Sequence, residues 1–197
     1  MNFDDQVVLI TGASRGIGRS VAQAFSKAGA SVAVHYNSGK LAAQDTYKTL
    51  NRGNHSIFQA DISQPNEAKT LVSDVISKMG TIDVLVNNAG VADGRWRSIE
   101  DIDHEQVLKV LDINSVGPVR MTQALLSRMG EDEMSTIAMV SSWFTGLSSA
   151  TSTRSVTSCP QSPDGASAAC CATCAALASS GIDRMKAEPT PGSLSAR

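Results

Sequence analysis

Thr11-Gly12-Ala13-Ser14-Arg15-Gly16-Ile17-Gly18 directly follows the apolar run Val7 to Ile10 and opens an amphipathic segment. Residues of these types at this spacing suit the capture of a phosphate. Glycine accepts the backbone of a tight turn and lets a ligand approach the main chain. The free N–H groups of a new helix then point at the anion with the helix dipole behind them. Three further polar groups, Asp61-Ile62, Asn87-Asn88-Ala89-Gly90 and Ser141-Ser142, also stand at the ends of apolar runs. Taken singly they read as a strand-end cap, a turn and a polar exit. Asn114 is different, because Val107, Val110, Leu111, Met121 and Leu125 mark the apolar face of a helix on which it also lies. Pro118, four residues on, has no N–H for the Asn114 carbonyl. A freed carbonyl beside a buried amide is a natural water site.

The elements that must position these groups alternate regularly. Gln6 to Ile10, Ser31 to Tyr36, His55 to Ala60, Ile82 to Val86 and Thr136 to Val140 read as short buried strands. Between them, helical spacing predicts helices from Ile17 to Ala28, Lys40 to Leu50, around Ala68 to Met79, and from about His104 to Met129. Strands alternating with long helices imply βαβ units. The expected fold is therefore α/β, a Rossmann-like doubly wound parallel sheet in three α/β/α layers. The glycine turn, Asp61, Asn87 to Gly90 and the serine pair all fall at the carboxyl ends of strands, where such sheets bind ligands.

A chain of 197 residues suits one domain, expected over residues 1–146. A formal net charge of -2 supplies no basic stripe, which argues against nucleic acid or an anionic membrane as partner. The acidic start Asn2-Phe3-Asp4-Asp5 and the lack of a long apolar run give the expectation of a cytoplasmic protein without a membrane span. From Leu147 onward the composition shifts to Ser, Ala, Thr, Pro and Cys without one Phe, Tyr or Trp. Residues 147–197 are accordingly expected to be a poorly ordered or partly helical tail, with Ser148 to Ser158 a loop and Ala166 to Ala178 helical by propensity. All four cysteines, Cys159, Cys170, Cys171 and Cys174, lie in this tail. The C-x-x-C spacing from Cys171 to Cys174 has no second pair or histidine after it, and no metal site is expected.

Thr-Gly-x-x-x-Gly-x-Gly at 11 to 18, Asp61-Ile62, Asn87-Asn88-Ala89-Gly90 and Asn114 come in the order and spacing of the short-chain dehydrogenase/reductase family. The chain resembles that family, in particular its 3-oxoacyl reductase type, over roughly residues 5–146. The resemblance implies that Thr11, Gly12, Ser14, Arg15, Gly16, Ile17 and Gly18 form the dinucleotide turn and that Asp61 and Ile62 border the adenine. It also implies that Asn87, Asn88, Ala89 and Gly90 lie beside the ribose and steady the sheet centre. Asn114 corresponds to the asparagine that holds a proton-relay water. Ser142, with Ser141 close behind, stands where the family places the serine that hydrogen-bonds the substrate carbonyl, although Gly146 is one residue farther on than the usual glycine.

An NAD site places an acid about 20 residues past the glycines, to take the ribose 2′-OH and repel a 2′-phosphate. Here that region reads His35-Tyr36-Asn37-Ser38. With Arg15 able to pair with a 2′-phosphate and Asn37 and Ser38 able to donate to it, NADP(H) is expected to be preferred over NAD(H).

The family's general acid is the tyrosine of a Tyr-x-x-x-Lys pair on the helix after the fifth strand. This chain has only Tyr36 and Tyr47, both upstream, and no lysine between Lys109 and Lys186. Gly181-Ile182 and Pro189 echo a later family segment, and counting back from them puts Cys159 and Pro163 where the pair belongs. A change of reading frame near residue 147 would account for a truncated family pattern. The fold is thus expected to be incomplete at its C-terminal end, and a family-type homo-oligomer to have an incomplete interface. The expected function is NADP(H)-dependent hydride transfer between a small-molecule carbonyl and its secondary alcohol, with substrate choice set near Gly94 to Arg97. The alternative is a catalytically impaired nucleotide-binding relative or partner subunit.

Overall fold

Val7-Val8-Leu9-Ile10 form the first strand, β1 (Val7–Ile10), and all four residues are buried. Val7 and Leu9 enter one apolar cluster, Val8 and Ile10 another on the opposite face. A strand covered on both sides needs an unbroken apolar run, and this one has it. The computed structural model describes residues 2–51, 53–91, 103–128, 135–141 and 156–160.

The chain continues through α1 (Gly16–Lys27), β2 (Ser31–Tyr36), α2 (Lys40–Lys48), β3 (Ser56–Gln59), α3 (Pro65–Met79) and β4 (Val84–Asn87). Then follow α4 (His104–Leu111), a π-helical turn (Asp112–Val116), α5 (Gly117–Leu126), β5 (Thr136–Ser141) and β6 (Val156–Pro160). The strands form one sheet in the order β3-β2-β1-β4-β5-β6, every neighbouring pair parallel. Leu71, Val72 and Val75 of α3 and Met121, Ala124 and Leu125 of α5 cover one face together with Leu9 and Leu85. Val21 and Ala22 of α1 and Ala43 of α2 cover the other with Val32 and Val34. This is the expected doubly wound architecture. Successive strands run outward from β1 in one direction and from β4 in the other, so the switch point lies between β1 and β4, where open α/β sheets leave a crevice.

Two expectations need correction. The helix from His104 is not one continuous α-helix to Met129. It widens at Asp112–Val116, where the Gly117 N–H reaches the Asp112 carbonyl, and α5 ends at Leu126. Pro118 supplies the reason: without an N–H it cannot continue the four-residue ladder, and the turn before it takes the looser register. Second, Val156–Pro160, part of which the composition assigns to a loop, forms a strand paired with β5 from Ile137↔Val156 to Ser141↔Pro160. Among the described residues β6 is the outermost strand on this side of the sheet, and main-chain pairing, which composition alone does not reveal, holds it to β5. The remainder of the tail, including the expected helix from Ala166 and Cys170, Cys171 and Cys174, lies outside the described residues. Among the described residues, no helix is long and apolar enough to cross a membrane.

Candidate functional site

At the switch point the ends of β1 and β4 are tied together by two side chains. The Thr11 hydroxyl donates to the Val86 carbonyl at 3.3 Å and accepts the N–H groups of Asn88 and Ala89, each at 3.0 Å. In return Asn88 Nδ2 donates to the carbonyls of Thr11 at 2.9 Å and Gly12 at 3.2 Å. Gly12 has φ +66°, and a Cβ there would stand 2.8 Å from the Ala89 Cα. A Cβ on Gly18 would overlap Asn88 Nδ2 and lie 2.5 Å from the Gly12 carbonyl oxygen. These two glycines are required by the close approach of the loops. Gly16, at φ +56°, instead faces open space, and a Cβ added there would meet nothing within 4 Å. Thr11 and Asn88 therefore spend their polar groups on shaping the turn.

The N-terminus of α1 opens from this turn. Arg15 occupies its N-cap position in an extended conformation, no side chain caps it, and its first turn holds no acid. The helix end thus keeps the positive dipole and the main-chain donors that an anion needs. α4, by contrast, is capped by the Asp103 carboxylate, which accepts from the Glu105 N–H at 3.0 Å. Arg15 is exposed. Arg19 fixes the turn from behind, donating to the Ser14 carbonyl at 2.8 Å, the Ala42 carbonyl at 3.1 Å and the Thr46 hydroxyl at 2.8 Å. Past β2, Asn37 and Ser38 are exposed, and a Cβ on Gly39 would lie 3.6 Å from Ser14 Oγ, so this turn and the glycine turn adjoin. Tyr36 is buried, its hydroxyl donating to Gln59 Oε1 at 3.4 Å.

Asp61 follows β3. Its Oδ1 accepts the Ser63 N–H at 2.9 Å, and its own N–H donates to the Glu67 carboxylate at 2.6 Å. Hydrogen bonds from Ser63, together with one from the Asn37 side chain, hold the Asp61 carboxyl below its ordinary value. Ile62 is buried against α5, where a Cβ on Gly117 would come within 2.9 Å of its Cδ1.

Beyond β4, Asn114 clasps Val91 with both ends of its amide. Oδ1 accepts the Val91 N–H and Nδ2 donates to the Val91 carbonyl, each at 2.8 Å. A Cβ on Gly90 would lie 3.3 Å from Asn114 Oδ1. The amide is satisfied and half-buried, and the π-helical turn carries it toward the exit of β4. Asn87 is 2 % exposed, and its side-chain Oδ1 and Nδ2 have no partner among the described residues; buried amides in such a position ordinarily pair with water. Ser141 ends β5. Ser142, Gly146, Pro163 and the segment Gly94 to Arg97 lie outside the described residues. Cys159 falls on β6, opposite Val140, in a strand and not on the helix that the family pattern assigns to its tyrosine.

Sequence reasoning passed over His35. It is 2 % exposed near the end of β2, its Nδ1 accepts the Gly12 N–H at 3.1 Å, and its Nε2 lies 3.0 Å from the Ala60 carbonyl. Burial lowers its pKa to about 4, against the smaller opposing pull of the Ala60 carbonyl and the Asp61 charge. A polar residue next to the end of β2, after the apolar run Val32 to Val34, was the available signal.

Comparison with known proteins accords with this geometry. The family described as short chain dehydrogenase matches residues 6–154. An uncharacterized oxidoreductase of Methylorubrum extorquens is 37% identical over 131 residues, 66% of this chain and 52% of its own length. A short chain dehydrogenase/reductase of Macrophomina phaseolina is 35% identical over 130 residues, 65% of this chain and 74% of its own length. Among solved structures, a short chain dehydrogenase from Burkholderia cenocepacia in complex with NADP superposes with a TM-score of 0.64 and 29% identity, over 73% of this chain and 58% of that one. The chain thus spans about half the length of the first relative.

Proposed function

The chain belongs to the short-chain dehydrogenase/reductase family of oxidoreductases, and from that premise we propose that it binds NADP(H) in preference to NAD(H) and interconverts a small-molecule carbonyl with its secondary alcohol. The observation that carries the reading is the uncapped N-terminus of α1, opening at the sheet's switch point between the glycine turn and the exit of β4. Gly12 and Gly18 keep that turn narrow, and the amides from Ser14 to Gly18 suit the diphosphate. Arg15, Asn37 and Ser38, on adjoining turns, suit a 2′-phosphate; no acid stands between Tyr36 and Lys40 in the sequence, and the Asp61 carboxylate beside them engages the Asn37 side chain. Asp61 and Ile62 line the adenine side. Asn87 to Gly90 stand on the ribose side.

When bound, the nucleotide would exchange a hydride with the carbonyl carbon, and the proton that the alcohol oxygen gains or loses would be exchanged with water, because the chain has no tyrosine after Tyr47 to serve as the family's acid. Ser142, with Ser141, donates a hydrogen bond to the substrate oxygen. Because the Asn114 amide is spent on Val91, its water would be held by the Asn114 main-chain carbonyl, whose four-residue partner position is Pro118, a residue without an N–H. The exposed apolar residues Val107, Leu108, Val116 and Val119 along α4 to α5 suit a family-type pairing with a second copy.

A second reading is favoured by one specific observation, the absence of a Tyr-x-x-x-Lys pair after β5; the spacing occurs in the sequence from Tyr36 to Lys40, but there it joins the end of β2 to α2. On that reading the chain holds nucleotide, or serves as a partner subunit, without reducing anything. Titration with NADPH and NADH, beside ketone-dependent NADPH oxidation, separates the two. Tight NADPH binding with turnover supports the first reading, and binding without turnover selects the second. Equal or tighter NADH binding refutes the cofactor preference.

A further inference from the structure

We infer that His35 is a positioning residue for the dinucleotide, a single neutral imidazole that joins the diphosphate turn to the loop on the adenine side. The inference rests on the nucleotide-binding reading above. His35 lies near the carboxyl end of β2, between the two strands whose exits carry those loops, β1 and β3. Its Nδ1 accepts the Gly12 N–H at 3.1 Å, so this nitrogen carries no proton. The proton of the neutral ring is therefore on Nε2, which donates to the Ala60 carbonyl at 3.0 Å, one residue before Asp61. The main chain of β2 reinforces both links. The Ala13 N–H donates to the His35 carbonyl at 2.9 Å, and the Ala60 N–H to the Tyr36 carbonyl at 3.1 Å.

The arrangement divides the donors of the glycine turn. Those of Gly12 and Ala13 are committed to β2, which leaves the amides from Ser14 onward to face an anion. Only a side chain that accepts at one end and donates at the other can hold Gly12 and Ala60 together. A neutral histidine does this, a glutamine has the same pair of groups, and leucine has neither. Burial of the ring keeps it in the neutral form that the bridge requires.

The full-length chain and its His35→Leu and His35→Gln variants are titrated with NADPH and followed by thermal unfolding. The expected result is a folded His35→Leu protein whose Kd for NADPH rises roughly tenfold, the equivalent of one lost hydrogen bond, with His35→Gln recovering most of the affinity. In the wild-type chain, nitrogen-15 spectra should show the Nε2–H tautomer of His35, and both its ring signals and the Gly12 amide should shift as NADPH saturates. A folded His35→Leu that binds NADPH as tightly as wild type overturns the inference. So do His35 ring and Gly12 amide signals that do not respond to saturating NADPH, and this second measurement decides the matter if the leucine variant does not fold. A wild-type chain that binds neither NADPH nor NADH instead overturns the nucleotide reading beneath it.

Discussion

Acid should weaken this fold through His35 before it reaches the carboxylates. The imidazole has an ordinary pKa of 6.5 and falls to about 4 in the folded chain, because protonation would place a charge in a site that is only 2 % exposed. Between those two values the unfolded chain takes up a proton that the native chain refuses. Its stability is therefore full above pH 6.5, declines as pH drops toward 4, and is unaffected by this group below that. At about 1.4 kcal/mol per pH unit, the whole interval is worth about 3 kcal/mol, a large share of the roughly 5–15 kcal/mol that hold a typical domain together. Asp61 works in the opposite direction and in a different window. Its pKa is lowered from 3.8, so its contribution is present above that value and lost only at lower pH. Urea unfolding from pH 7.5 to 4, on wild type and His35→Gln, isolates the effect because His55 and His104 are common to both chains. The wild-type stability should fall more steeply with acid than that of the variant, the difference growing to about 3 kcal/mol near pH 4. Parallel curves across the interval would refute the reasoning.

The glycine turn offers further tests. Gly12→Ala and Gly16→Ala both place a side chain at positive φ, which costs about 1–2 kcal/mol, but only the first also drives a Cβ to 2.8 Å from the Ala89 backbone. Thermal unfolding should show Gly12→Ala clearly the less stable, and equal losses would mean that the β1 and β4 exits are not held as described. Thr11→Val keeps the shape and removes the acceptor of the Asn88 and Ala89 N–H groups, for an expected loss of about 2 kcal/mol or more, whereas Thr11→Ser should cost less. Denaturant midpoints measure both. Arg15→Ala should weaken NADPH binding about tenfold and leave NADH almost unchanged, and a uniform loss by titration would remove Arg15 from the 2′-phosphate.

Much of the candidate site could be read before any coordinates. The glycine spacing marked the turn, and Asp61, Asn87 to Gly90 and Asn114 followed in register because each sits at a strand end or opposite a proline, features that local sequence encodes. Their division of labour was not legible. Asn88 and Ile62, assigned to the nucleotide by resemblance, direct their side chains into the turn and against Gly117. Asn114 turns its amide to Val91, 23 positions away in the chain. Partners so distant leave no periodic trace, so a polar side chain looks the same in sequence whether it faces a ligand or a main-chain carbonyl.

By itself, the sequence determined the class of the fold and the place of the glycine turn. Val7 to Ile10 is an unbroken apolar run of the kind a strand covered on both faces requires, the alternation of such runs with helical segments implies a parallel sheet, and glycines at a strand's end admit a main-chain turn that other residues resist. Tertiary structure alone decided that β1 lies beside β4, that Val156–Pro160 pairs with β5, and that one histidine links the turns after β1 and β3. Strand order and edge pairing are set by main-chain hydrogen bonds, which every residue but proline makes alike, and a buried imidazole acquires its role from the two loops that close over it.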